Sequence, residues 1–137
     1  MARSKLFALL VDREKYSFMD LISLLSELSV EALRAQNCAE VAHLLDHTHP
    51  ELIFTGTEVS DGSWRDIVEL VELTSVPTNV VVVGKYQDTD LYRTTMENGA
   101  FDFILPPFER EPLAQLVSAA ADDVRSQRAR LSVSAVA

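Results

Sequence analysis

The amino-acid sequence predicts a three-layer α/β sandwich built on a doubly wound, five-stranded parallel sheet of the (βα)5 type. Apolar runs of strand length alternate along the chain with amphipathic segments of helical length. The chain has 137 residues, which is the length of one domain with a core of ordinary size. Helical crossovers between successive strands make those strands parallel and cover both faces of the sheet.

Five segments are predicted to form the strands. Leu6 to Val11 and Asn79 to Val83 are continuous apolar runs, and the second is β-branched, as in strands covered on both faces. Glu51 to Phe54 and Phe101 to Leu105 are shorter candidates, and Val30 to Ala35 has the weaker pattern of an edge strand. In such a sheet the functional crevice lies at the carboxyl ends of the strands.

Apolar residues at helical spacing predict the intervening helices. Asn37 and Asp88 are suited to capping helix starts, and Gly99 is suited to a helix C-terminus. The folded domain is expected to span residues 1–124. Residues 125–137 are expected to form the end of the last helix and then a tail or the start of a linker.

Composition narrows the classes of function. The formal net charge of −9 repels phosphate backbones, so direct binding of nucleic acid is not expected. The single cysteine, Cys38, excludes an internal disulfide and a multi-cysteine zinc site. No apolar run approaches the roughly 20 residues that span a bilayer, so we expect a cytoplasmic protein without membrane contact.

Three motifs carry a resemblance to a known family. The stretches "LFALLVDRE", "HPELIFTGTEVSDG" and "ENGAFDFILPPF" lie at strand ends in the predicted sheet. Together they resemble the receiver domain of bacterial response regulators, a flavodoxin-like module of two-component phosphorelay signalling. The resemblance covers the chain from about Lys5 to Val124. It implies a domain that takes a phosphoryl group from a histidine kinase onto an aspartate.

The first two motifs depart from the family's pattern at the reaction centre. The resemblance places the family's Mg²⁺-binding acidic pair on Asp12 and Arg13, so one acid is replaced by a cation. It places the phosphoacceptor aspartate on Gly56. Glycine offers no carboxylate oxygen as nucleophile, and Arg13 would repel Mg²⁺, which prefers hard oxygen ligands.

Two of the remaining positions also depart from the pattern. The resemblance places the family's switch Ser or Thr on Gly84 and the lysine before its Pro–Phe pair on Pro106. It places the family's aromatic switch on Phe103, which is aromatic. Without that lysine and hydroxyl, the charge of a phosphoryl group would lose its stabilisation. The departures predict an atypical receiver, or pseudo-receiver, which is not phosphorylated, is not an enzyme and needs no cofactor or metal.

Alternatives remain at this level. A displaced acceptor, Asp12 or Asp61, would keep the domain phosphorylatable, and a cavity left by the strand-end glycines would make it a small-molecule sensor. Thr55 and Thr57 are expected to point away from the crevice. Glu58 is expected on the crevice side, where it either mimics a phosphoryl charge or is a solvated loop acid.

Protein contacts are the remaining expected activity. The expected partners are an output domain, another regulator or a kinase. A homodimer is also expected, formed through the fourth helix, the fifth strand of the sheet and the last helix. Apolar residues on this candidate interaction face, which are equally suited to the core, are Tyr92, Met96, Phe101 and Phe103.

Overall fold

The computed structural model describes residues 5–13 and 18–132 with their side chains, and the backbone of residues 133–136. Strands and helices alternate through these residues, apart from one short hairpin. The elements are β1 (Leu6–Val11), α1 (Met19–Glu27), β2 (Val30–Ala35), α2 (Cys38–Thr48), β3 (Leu52–Gly56), β4 (Glu58–Val59), β5 (Gly62–Ser63), α3 (Trp64–Leu73), β6 (Asn79–Val83), α4 (Thr89–Glu97), β7 (Asp102–Ile104) and α5 (Arg110–Val136).

Five of the strands form one parallel sheet in the order β2-β1-β3-β6-β7. This arrangement confirms the predicted fold class, and β2 is an edge strand as its pattern indicated. The bounds of β3 and β7 differ from those predicted. β7 spans Asp102–Ile104 and is one residue shorter at each end. β3 continues to Gly56, beyond the predicted end at Phe54, because Thr55 and Gly56 pair with Val82 and Val83 of β6.

The core lies on both faces of the sheet. Alternate residues of each central strand pack in opposite directions, as strand geometry requires. Leu9, Ile53 and Val82 belong to the cluster shared with α2 and α3. Leu10 and Phe54 belong to the cluster shared with α1 and α5. All five side chains are fully buried, so these faces fix which strand ends meet at the crevice.

Local signals in the sequence match the helix ends. The side chain of Asn37 accepts a hydrogen bond from the amide of Glu40, and that of Asp88 accepts one from Leu91. Both contacts satisfy amides that lack a partner within the helix. Gly99 follows α4 with φ of 102°, a conformation in which glycine has no steric penalty.

One segment differs from its prediction. The stretch after β3, in which no strand was predicted, contains the antiparallel hairpin β4–β5, in which Glu58 pairs with Ser63. The last helix, α5, continues to Val136. Within the described part of the chain, no helix has the length and apolarity of a membrane span.

Candidate functional site

A cavity of about 350 Å³ lies at the carboxyl ends of β1, β3 and β6, where the fold class places its crevice. Four loops form its walls. The lining residues are Asp12, Arg13, Phe18, Gly56, Thr57, Glu58, Val83, Gly84, Lys85, Pro106 and Phe108. The structure therefore brings together most of the site residues that the sequence singled out, although they are separated by up to about ninety positions in the chain.

Gly56 lies at the end of β3 in the floor of this cavity and is buried. A β carbon built at Gly56 would be 3.7 Å from Oδ1 of Asp12 and 3.9 Å from Cζ of Phe18. These are ordinary van der Waals distances, so the backbone at this position has room for a β carbon. Packing at this position therefore does not by itself require glycine.

Asp12 directly follows β1 and is the buried carboxylate of the cavity, with 9% of its surface exposed. Its amide donates a long hydrogen bond of 3.4 Å to the carbonyl of Ala35, at the end of β2. One carboxylate so placed is short of the several oxygen ligands of a divalent cation site. Among the described residues, no group of three or more His, Cys, Asp or Glu side chains is placed to hold a metal ion.

Arg13 and Glu58 form an ion pair at the cavity rim. Nη1 of Arg13 donates to Oε2 of Glu58 over 3.2 Å, and their side chains are 64% and 70% exposed. Glu58 thus lines the cavity at its rim, on the expected side, although β3 has already ended at Gly56. Because Arg13 neutralises its carboxylate locally, a role as a phosphoryl mimic would require this pair to open.

Lys85 follows Gly84 and also lines the cavity. With Lys85 included, the lining holds two acids and two bases, so its formal charges cancel. A site that stabilises a phosphoryl group presents excess positive charge or a metal ion to it, and this balance provides no such excess.

One expectation about the threonines beside Gly56 needs correction. Thr57 lines the cavity, although strand alternation placed it facing away, because β3 ends at Gly56 and alternation ends with it. Thr55 remains fully buried, and its hydroxyl donates to the carbonyl of Gly56 over 3.0 Å. The apolar wall residues Phe18 and Phe108 were not predicted as site residues, since only the tertiary contacts bring them to this edge.

Phe103 lies behind the cavity and not in its lining, in contrast to its predicted place in the degenerate pocket. It is 8% exposed, and its Cζ would lie only 2.5 Å from a β carbon built at Gly84. The ring therefore occupies the space into which any side chain at position 84 would extend. Pro106 is at the cavity edge and is joined to Pro107 by a cis peptide bond.

Two curated proteins are similar to the chain in sequence. The response regulator protein PilR of Pseudomonas aeruginosa is 30% identical over 121 residues, which are 88% of this chain and 26% of PilR. An uncharacterized response regulatory protein of Vibrio cholerae is 29% identical over 114 residues, 82% of this chain and 47% of that protein. The chain thus spans less than half the length of either relative. No protein-family model matches it.

Solved structures show the same architecture. A response regulator receiver domain protein from Clostridium thermocellum superposes with a TM-score of 0.76 at 20% identity, over 89% of this chain and 98% of that one. A response regulator from Thermotoga maritima gives a TM-score of 0.74 at 23% identity, over 87% and 99% of the two chains. The relatives in sequence are response regulator proteins, and the solved structures show that the chain has the fold of a response regulator receiver domain.

In this receiver fold Asp61 lies away from the cavity. Its Oδ1 accepts a hydrogen bond of 2.8 Å from the amide of Cys38, at the first turn of α2. That hydrogen bond lowers the pKa of Asp61. Burial, together with the nearby Asp61 carboxylate, raises the pKa of the Cys38 thiol to about 11. Asp61 therefore serves as a cap for α2 and is not in the cavity lining.

The candidate interaction face of the receiver fold divides into two pairs. Tyr92 and Met96 on α4 are 46% and 37% exposed. Phe103 is buried, and Phe101 is partly buried against the core cluster of α1 and α5. The rings of Tyr92 and Phe103 meet edge to face, with centroids 6.1 Å apart. Of these four residues, Tyr92 and Met96 are thus the ones with substantial exposed surface at this face.

Proposed function

We propose that the chain is an atypical receiver domain that is not phosphorylated and regulates an output through protein–protein contact or dimerisation. The observation that carries this proposal is Gly56, which lies in the cavity floor with no carboxylate. In phosphoryl transfer to a receiver, a carboxylate oxygen attacks phosphorus and the phosphodonor leaves. Gly56 has no atom that forms this bond, and Thr55 is turned into the core.

The surroundings of Gly56 support the same proposal. Arg13 and Pro106 stand where the resemblance places a metal-binding acid and a phosphate-binding lysine, and both line the cavity. The Arg13–Glu58 pair and the balance of two acids and two bases leave no excess charge for a phosphoryl group. These departures act on different parts of the reaction, namely the nucleophile, the metal and the stabilisation of charge.

Protein contact is the second part of the proposal. Tyr92 and Met96 form an exposed apolar pair on α4, and aromatic residues and methionine are enriched in interface cores. The partner is a second copy, an output domain, another regulator or a kinase, in the cytoplasm. This module needs no cofactor, does not bind nucleic acid or membrane, and is not an enzyme.

A phosphorylated receiver with Asp12 as displaced acceptor is the second candidate, because Asp12 is a buried carboxylate in the cavity wall. A small-molecule sensor using the cavity of about 350 Å³ is a further alternative. The phosphate-dependent candidate requires an oxygen of Asp12 to attack a phosphodonor. Asp61 is less suited to this role, since α2 and not the cavity holds its carboxylate.

The deciding experiment is to incubate the purified chain with acetyl phosphate and Mg²⁺ and to record its intact mass. A conventional receiver domain serves as the positive control, and Asp12→Asn serves as the matched variant. We expect no phosphoryl adduct on the chain. An adduct that Asp12→Asn abolishes would contradict the proposal and establish Asp12 as the acceptor.

A further inference from the structure

The last helix, α5, still contacts the rest of the domain beyond Val124, where its apolar face ends. Leu113, Val117 and Ala120 of α5 pack on the sheet, and Val124, four positions after Ala120, is fully buried. One turn later, the half-buried side chain of Arg128 contacts two loops of the domain. Nε of Arg128 donates to the carbonyl of Pro77 over 3.0 Å, and its Nη2 donates to the carbonyls of His49 and Pro50 over 3.0 and 2.8 Å.

The three carbonyls belong to two different loops. Pro50 precedes β3 and Pro77 precedes β6, so Arg128 bridges the amino-terminal edge of two paired strands. The loops are also joined directly, because the hydroxyl of Thr78 donates to the carbonyl of Pro50 over 2.9 Å. The planar fork of a guanidinium can serve several acceptors at once, which the single ammonium of lysine cannot reproduce.

A second contact lies one turn earlier in α5. The side-chain amide of Asn79, the first residue of β6, donates to the carbonyl of Ala120 and to Oδ2 of Asp123, both over 3.0 Å. Gln127 donates to the same carboxylate oxygen over 2.6 Å. This contact and the Arg128 bridge thus join two successive turns of α5 to the same edge of the sheet.

The bridge is made at a cost in hydration that its acceptors offset. Because the side chain of Arg128 is half-buried, its guanidinium has lost part of its water, and this burial lowers its pKa. The three carbonyls replace that water, and an arginine remains charged in proteins at neutral pH. Arg128 holds β3 and β6 at their start. At the other end, β3 ends at Gly56 and β6 ends at Val83, next to Gly84, and these residues line the cavity.

We propose that Arg128 is a clamp that locks α5, beyond its apolar face, to the amino-terminal edge of β3 and β6. The outer segment of α5, residues 129–136, then projects in one fixed direction and presents the exposed Arg130 and Leu131 as a rigid surface. This segment is about 12 Å long at 1.5 Å per residue. The clamp is independent of whether the cavity takes a phosphoryl group.

The test measures the direction in which the end of α5 points and the local opening of this part of the helix. Nitroxide labels are placed at Asp46→Cys on α2 and Leu131→Cys on α5, both exposed sites, in a Cys38→Ala background. Their distance distribution is recorded by double electron–electron resonance for the parent, Arg128→Ala and Arg128→Lys. Arg125→Ala removes the same charge from an exposed position of the same helix and is the matched control. Hydrogen exchange of the unlabelled variants reports opening of residues 125–132.

We expect one narrow distance distribution for the parent and for Arg125→Ala. For Arg128→Ala we expect a clearly broader distribution and roughly tenfold faster exchange over residues 125–132. Arg128→Lys keeps the charge but cannot bridge both loops, so we expect it to broaden the distribution as well. If Arg128→Ala does not fold, Arg128→Lys provides the test in its place. Distributions and exchange rates equal to those of Arg125→Ala would overturn the proposal.

Discussion

The ring of Phe103 occupies the space beside the backbone of Gly84. The ring of Phe103 lies where a side chain at position 84 would begin, so that a β carbon there would be 2.5 Å from its Cζ and 2.9 Å from Cδ2 of Leu105. Tyr92 meets the same ring from the exposed side. Phe103 therefore separates the cavity from the α4 surface, and glycine at position 84 is a condition of its buried position.

The first prediction is that Gly84→Ala destabilises the domain. The added methyl group would meet a buried ring and a partly buried leucine, and overpacking of this kind costs about 1–3 kcal/mol. Urea unfolding followed by circular dichroism measures the change in the free energy of unfolding. The tight contact also predicts that Phe103→Leu, which shortens the side chain, partly restores stability in the double variant.

Gly56→Ala is the matched control for this prediction. Its β carbon would make ordinary contacts of 3.6 Å or more, and the residue does not have positive φ. We expect its stability to stay within about 1 kcal/mol of the parent, since alanine also reduces the entropy of the unfolded chain. Equal losses for Gly56→Ala and Gly84→Ala would show that Phe103 does not occupy the space beside Gly84.

The second prediction concerns the Arg13–Glu58 pair. Both side chains are mostly exposed, so water screens their attraction. A double-mutant cycle with Arg13→Ala and Glu58→Ala should give a coupling free energy below about 1 kcal/mol. Measured again in 1 M salt, where the Debye length is about 3 Å, this coupling should disappear. A larger coupling that survives salt would mean that the pair is a buried part of the cavity.

The third prediction is a dependence of stability on acid pH that arises from Asp61. Because the Cys38 amide lowers the pKa of Asp61 in the folded state, the unfolded state binds more protons. The contribution is therefore fully present above the unfolded pKa of about 3.9 and is lost as the pH falls through the folded pKa.

Urea unfolding at pH 5 and pH 3 tests this contribution. The parent should lose more stability between the two pH values than Asp61→Ala or Asp61→Asn. The asparagine variant keeps an acceptor oxygen for Cys38 but does not titrate, so it should remain closer to the parent at neutral pH. If all three proteins show the same loss, Asp61 does not cap α2 in solution.

The fourth prediction concerns self-association through α4. In sedimentation equilibrium the chain should form dimers, and replacing Tyr92 and Met96 together by alanine should weaken the dimer about tenfold or more. Leu73→Ala is the matched control, because Leu73 is 83% exposed on α3, outside this face. Weakening by Leu73→Ala but not by the double variant would place the contact elsewhere.

The sequence was sufficient for the architecture of the sheet and for most of the cavity. The β1 and β6 strands, the caps Asn37 and Asp88, and the glycine turn after α4 were all predicted from local patterns. Such signals involve neighbours along the chain, and the parallel topology follows from their alternation. The carboxyl-edge rule then brought Asp12, Gly56 and Gly84 to one cavity, where the structure places them.

The tertiary structure alone decided features that depend on distant partners. The β4–β5 hairpin is held by Ser60 and Asp61, which contact residues more than twenty positions away, so no local period marks it. Phe103 is buried because Gly84 has no side chain in the space that the ring occupies. The local sequence pattern around either residue does not indicate this contact. Arg128 lies in the last helix, and its acceptors lie 51 to 79 positions earlier in the chain. Contacts of this separation form only when the sheet has assembled, which is why composition and periodicity do not reveal them.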